Sequence, residues 1–532
     1  MDQPERRPLI QKPGGEEVED RENGSRRGLH GASPLSIAVA LFGVFLAGGD
    51  ESLVISMYGE VASEFQNLTD GPWLMTGYTL GYCVALPLYG RLSDIYGRKR
   101  PLLAAYCLYC IGCLTSGTAV GLWQAIAGRV VNGIGGAGMV ALISVIITDI
   151  ATLEQVAVLR SYVNVAAVAG RSAGPPLGGF LADTIGWRWA FLAQAPIALL
   201  CLVLAKYTLP SGPAQSHNEH SCRSSKRAKW KDVDFLGVIT FVISMVSFLL
   251  FLDLGGQKLP WSHPVVIALI AACSVCSLAF VLIEKFWAVK PLIPLWLIRE
   301  NGVGISCLVQ ILVFWGRLAT LSHLATFYIR TMDATNTVAA AFIVPSSVGN
   351  AVGALLSGAV ISRTFRYKTL SAITIIVACI SYTLVVLRWR HGANIFESFY
   401  IFPVGVTFGM VLSAQFVGLS ASAPTAQKAI AISMYYLSQQ VGTVIGIGSA
   451  ATLLRADFRS RLFERLVGFP ERDQLIQGIL DDARFAATLP AKLKSVVRTE
   501  YLQSFQLVPI MSLVTTALAL PLILWLREHP LR

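Results

Sequence analysis

The sequence predicts an all-α polytopic membrane protein, and three observations carry that prediction. Of 532 residues, 54% are hydrophobic and only 14% charged, against about 25% charged in an ordinary soluble domain. The charges gather in short clusters. Long apolar runs, such as Pro196–Leu209 with its flanks, recur between them along the whole chain. A spanning helix needs about 20 mostly apolar residues. In lipid the backbone must bond to itself, so each run is expected to be helical.

The runs place fourteen spans. Six lie at 36–58, 72–92, 101–120, 122–149, 157–182 and 188–208. Two follow at 234–253 and 263–287, and six more at 302–329, 336–361, 369–388, 396–420, 427–453 and 506–526. The chain therefore divides into a polar, disordered cytosolic tail (1–34), a first six-helix half (35–208), a basic cytosolic loop (209–232), an inserted pair (233–288) and a second half (289–532). That second half carries a long loop at 454–505.

Orientation follows from the basic residues. With the N-terminus in the cytosol, the cytosolic loops hold Arg98-Lys99-Arg100, the 209–232 cluster with Lys226, Arg227, Lys229 and Lys231, then Lys285, Lys290, Arg299, Arg363, Arg366 and Lys368. The short opposite loops are poor in Lys and Arg, which is the positive-inside pattern. The 454–505 loop is charged but long, and long loops obey the rule weakly. It is expected to face the lumen. So is Asn67, which opens a glycosylation sequon with Leu68 and Thr69. Trp73, Trp187 and Trp261 fall at predicted interfaces and read as anchors.

The net charge of +11 belongs to these loops and points to the lipid bilayer, not to nucleic acid. Nearly all of the ten cysteines lie inside apolar runs and read as packing residues, so no metal site is expected. No cofactor is implied either. The tail lacks a secretory h-region. Its Glu5-Arg6-Arg7-Pro8-Leu9-Ile10 resembles the acidic dileucine signal of vacuolar and lysosomal membrane proteins, which implies sorting adaptors as partners and the vacuolar membrane as the destination.

Transporters are often built from repeats. Gly90, Arg98 and Arg100 recur at an offset of 268 as Gly358, Arg366 and Lys368. At the same offset Gly174-Pro175-Pro176-Leu177-Gly178 meets Gly442-Thr443-Val444-Ile445-Gly446. Two related six-helix halves are expected, rocking about a midplane site.

Three stretches carry a family resemblance. Gly90-Arg91-Leu92-Ser93-Asp94-Ile95-Tyr96-Gly97-Arg98-Lys99-Arg100 resembles the loop between the second and third helices of the major facilitator superfamily. The resemblance implies that Asp94, Arg98 and Arg100 latch the halves on the cytosolic side, with Gly90 and Gly97 allowing close approach and a tight turn. Arg129-Val130-Val131-Asn132-Gly133 resembles that family's buried arginine motif. Gly170-Arg171-Ser172-Ala173-Gly174-Pro175-Pro176-Leu177-Gly178-Gly179 resembles its antiporter motif, with Pro176 where many members have glycine. Arg171, Gly174, Pro175 and Gly178 are thereby gating candidates. Fourteen helices and this motif point to the drug:proton antiporter branch. Gly49-Asp50-Glu51-Ser52 and the following Tyr58–Phe65 stretch are similar to fungal vacuolar basic amino acid transporters and related multidrug carriers.

Charges inside spans are costly and default to functional hypotheses. Asp50 lies about 12 Å from the outer end of its span and Arg129 about 11 Å from that of its own, at 1.5 Å per residue. The two are expected to pair. Burial favours a protonated carboxyl and a nearby cation favours the ionised one, so Asp50 is expected to take a proton when turned from Arg129 and release it when close. Glu51, about 100° round the helix, is placed to face the cavity and a cationic solute. Arg317 falls one residue from the repeat position of Asp50 and selects anionic groups or acts as a counter-ion. His323 reads as a packed neutral histidine. Asn164, Asn350, Gln439 and Gln440 either bind solute or bond across helices. Of these, Asn350 and Gln440 stand beside Glu51 and Arg317 as solute candidates.

No Gly-Lys-Ser/Thr nucleotide loop is present, nor any catalytic constellation near an interface. The expected activity is secondary transport, not enzymatic: a basic amino acid or a drug moved against protons at the vacuolar membrane. Plasma-membrane efflux is the alternative reading, and a non-transporting sensor the weaker one.

Overall fold

A computed structural model describes residues 34–66, 70–151, 153–209, 234–255, 259–288, 291–299, 302–390, 392–394, 396–466, 472–481, 489–529 and 531. The dileucine-like tail, Asn67 and nearly all of the 209–232 loop lie outside them.

Fourteen long helices follow the predicted order. The first half holds α1 (Pro34–Glu64), α2 (Trp73–Tyr96), α3 (Lys99–Gly117), α4 (Leu122–Ile150), α5 (Leu153–Ile185) and α6 (Trp187–Thr208). The inserted pair is α7 (Phe235–Leu254) and α8 (Pro264–Phe286). The second half holds α9 (Val303–Met332), α10 (Val344–Thr364), α11 (Tyr367–Arg388), α12 (Ile401–Ser422), α13 (Lys428–Arg465) and α14 (Leu507–Trp525). Among the described residues eleven helices are long and apolar enough to cross a membrane. The other three, α2, α3 and α5, take their place by packing inside the same bundle.

The halves repeat one another in packing. α1 lies on α5, α2 on α4, and α3 on α4 and α6. In the second half α9 lies on α13, α10 on α12, and α11 on α12 and α14. Glycines permit the closest crossings. A Cβ on Gly170 would stand 2.2 Å from the Phe45 carbonyl oxygen, and one on Gly442 2.5 Å from that of Ile311. Gly174 meets the Gly49 carbonyl at 2.4 Å and Gly446 the Trp315 carbonyl at 2.5 Å in the same way. Close approach of this kind drives helix association where no hydrophobic difference exists between lipid and side chain.

These contacts correct the repeat register. The equivalent of Gly174 is Gly446, not Gly442, so α5 and α13 are offset by 272. Helices α1 and α9 are offset by 266, which pairs Phe45 with Ile311 and Gly49 with Trp315. Arg317 is therefore the counterpart of Glu51, and Gly316 that of Asp50. A single linear offset misses this because the connecting loops of the two halves differ in length.

The halves join toward the end of the bundle that carries the Arg98 and Arg366 turns. Gly90 on α2 approaches Ser433 on α13, where an added Cβ would stand 2.7 Å from the hydroxyl. Gly358 on α10 approaches Ser161 on α5 at 2.3 Å by the same measure. These are one contact made twice, with the halves exchanged. Ser161 also donates to the Ala354 carbonyl at 2.7 Å. The inserted pair packs through α7 against α2 and α13, beside this seam.

Two sequence expectations change. The 454–505 stretch is not an open loop. Helix α13 runs on to Arg465, and helices Arg472–Asp481 and Ala491–Phe505 follow. Phe458, Leu462, Ile479, Val497, Tyr501 and Phe505 bury themselves with Phe327 and Trp389 as a helical cap over one end of the second half. Trp187 is no interfacial anchor. It is 2% exposed and donates to Glu64 at 2.5 Å, because α6 begins inside the bundle. Trp261 is exposed.

Candidate functional site

The mid-membrane charges fall into three groups. The first is enclosed within the first half. Asp50 and Arg129 are 1% and 0% exposed. The Arg129 Nη1 reaches both Asp50 carboxylate oxygens at 2.7 Å, and Nη2 donates to the Asp50 carbonyl at 3.1 Å. Asn132 and Gln194 donate to the same carboxylate at 3.5 and 3.3 Å. Tyr109 donates to Gln194 at 2.6 Å, fixing the amide. Arg129 also donates to the Leu74 carbonyl at 3.4 Å and stacks over Tyr78 with 4.6 Å to the ring centroid. The predicted pair therefore forms, with α1, α2, α3, α4 and α6 all contributing. Asn132 belongs to the motif read from sequence. Gln194 and Tyr109 escaped notice because nothing in the chain marks which polar residues turn toward Asp50.

The second group lies between α1 and α5. Glu51 accepts from Arg171 at 2.9 Å, and their side chains are 31% and 46% exposed. Both sit near the middle of their helices, and protein does not close off either side chain. Arg171 is thus paired with the neighbouring acid that was expected to meet solute alone.

The third group is Arg317, 6% exposed, enclosed among α9, α11, α12 and α14. Its guanidinium lies over Phe408 at 4.2 Å. It makes none of the contacts that hold the Asp50 group together. His323 is half-buried and bonds the Ala319 carbonyl at 3.0 Å.

The polar residues left open by sequence divide. Asn164 donates to Asn350 at 3.2 Å, across the seam between α5 and α10. Gln439 donates to Gln310 at 3.2 Å inside the second half. Gln440 is half-buried on α13. Asn350 therefore joins the halves.

The cytosolic motif behaves differently from its expected role. Arg98 pairs with Asp94 at 2.6 Å and with Asp149 at 2.9 Å, and Gly97 turns the chain at φ 80°. Those ion pairs bind α2 to α4 inside one half. Arg100 is exposed. The approach to the other half is made by Gly90. Gly174 and Gly178 pack α5 on α1, and Pro175 lies within that helix.

A contact between halves that sequence reading missed is built on Arg160 of α5. It is 3% exposed, donates to the Tyr436 hydroxyl of α13, and stacks over Phe416 of α12 at 4.3 Å. Tyr436 also bonds Ser144 of α4 at 2.6 Å. The predicted span starts at 157, only three residues before Arg160. The helix begins at Leu153, which sets Arg160 two turns deep.

Twelve helices in two pseudo-symmetric halves, with a buried acid–arginine pair, define a secondary transporter of the alternating-access kind. The sequence matches the Major Facilitator Superfamily over residues 40–447, and the chain belongs to that family. It is 31% identical to the vacuolar membrane amino acid uptake transporter fnx2 of Schizosaccharomyces pombe, covering 86% of this chain and 78% of that protein. It is 27% identical to the multidrug resistance protein fnx1 of the same organism, covering 87% and 86%. Among solved structures, the proton:xylose symporter XylE bound to 6-bromo-6-deoxy-D-glucose superposes with a TM-score of 0.57 at 16% identity, covering 91% of this chain and 94% of that one. The protein is a multi-span membrane transporter of small molecules and not an enzyme.

Proposed function

We propose that the protein is a proton-coupled antiporter that carries a small organic solute, an amino acid in the first instance, across the vacuolar membrane. The carrying observation is the Asp50–Arg129 pair, bidentate and shielded from water. A carboxylate enclosed with one guanidinium has two stable partners, that cation or a proton. Rocking of the halves that parts Asp50 from Arg129 makes the proton the better partner, and return releases it. Glu51 and Arg171 offer the solute an acid and a base near mid-helix, which suits an amino acid carrying both charges. Asn350 and Gln440 stay candidates for the same solute, and Asp94, Arg98, Gly90 and Gly174 support the rocking helices.

The vacuolar assignment rests on the likeness to fnx2 and on the dileucine-like tail, which would engage sorting adaptors. Efflux at the plasma membrane is the second reading, favoured by the likeness to fnx1. A fluorescent fusion separates the two by location. Solute accumulation in vacuole-enriched vesicles, measured with and without a proton uncoupler, tests the mechanism. Accumulation is expected to collapse with the uncoupler, and flux indifferent to it would discard antiport.

A further inference from the structure

Among the described residues, Arg317 is the one fully buried cation of the second half, and the helices around it supply no acid. Helices α9, α11, α12 and α14 contain no Asp or Glu. Arg317 makes no ion pair or hydrogen bond, its Nη1 is buried without a partner, and its one close neighbour of note is the Phe408 ring. In the first half the counterpart position is Glu51, matched by Arg171. In the second half the counterpart of Arg171, at the α5–α13 offset, is Thr443. Arginine does not shed its proton in proteins, and a buried charge left alone is strongly unfavourable. A cavity of about 20 Å³ adjoins the guanidinium, lined by Val313, Ile375, Tyr382, Thr407 and Thr516 as well as Phe408. About 10–15 Å³ suffices for one water-sized occupant.

We infer that this cavity is a binding site for a single compact monovalent anion, held by Arg317. The shared chemistry is one small negative charge. Its two sources are an inorganic anion such as chloride and a small free carboxylate such as formate. The site is independent of proton exchange at Asp50, since it is built from other helices in the other half.

The test is thermal unfolding of the purified full-length protein in lipid nanodiscs at fixed ionic strength, with gluconate replaced stepwise by chloride or by formate. A saturable rise of about 1–3 °C in the midpoint is expected, and it should vanish in Arg317→Met. A rise with chloride alone assigns an inorganic anion. A rise with formate but not chloride assigns a carboxylate. Either supports the site. No saturable rise with either anion in the wild-type protein overturns it, whether or not the variant folds, as does a rise that persists undiminished in Arg317→Met. Proton-driven uptake is read separately, so failure of one claim leaves the other standing.

Discussion

The two halves share a scaffold and differ in how they hold charge at the midplane. In the first half Asp50 and Arg129 neutralise one another inside a cage of five further hydrogen-bonding and stacking groups. In the second half Gly316 stands in the place of Asp50, and Arg317, one residue on, is alone. The glycine crossings that fix the scaffold recur in both halves, while the chemistry does not. Pseudo-symmetry thus governs backbone approach, and the side chains are free to divide the work. On the proposed reading, one half exchanges a proton and the other holds an anion.

Substitutions sharpen that contrast. The largest effect is expected from Arg129→Met, which leaves Asp50 buried without its cation. Breaking one partner of a buried pair is destabilising by about 3–5 kcal/mol, and a much lower unfolding midpoint should be seen in nanodiscs. An unchanged midpoint would mean that the pair is not what holds the first half together. Arg317→Met is expected to act in the opposite sense in anion-free buffer. Removing a lone buried charge in favour of an apolar side chain is often neutral or stabilising, so its midpoint should hold or rise.

The seam between halves gives the next effect. Tyr436→Phe removes the hydroxyl shared by Ser144 and Arg160. A lost hydrogen bond to a charged group is worth about 1.5–3 kcal/mol, so the cytosol-open population should grow by roughly 10-fold or more. Labelling of a cysteine placed at Ser433, by an impermeant maleimide added on the cytosolic side, reads that population. The smallest effect is expected from Glu51→Gln. Its pair with Arg171 is partly solvated, so stability should change by less than about 1 kcal/mol, while the apparent solute affinity shifts. A stability loss as large as that of Arg129→Met would place Glu51 in the structural cage.

Much of the fold was legible because lipid imposes a simple rule of apolar length: each predicted span falls on a helix in the predicted order, although α2, α3 and α5 fall short of that rule and α13 outruns its expected end. The Asp50–Arg129 pair was legible too, since depth along a helix follows from residue count. Rotation about the helix does not. That is why Glu51 was given to solute when it bonds Arg171, and why Gln194 and Tyr109 went unseen. The cap helices did leave a signal: Phe458 and Leu462, then Val497, Tyr501 and Phe505, recur at four-residue spacing, the apolar stripe of a helix. Charge density in that stretch hid it.

The central claim is that Asp50 carries the coupled proton. Asp50→Asn in sealed vesicles with an imposed pH gradient tests it most directly, because solute exchange without a gradient is measured on the same preparation. The account predicts that proton-driven accumulation is lost while solute-for-solute exchange continues. Proton-driven accumulation at the wild-type rate would contradict it.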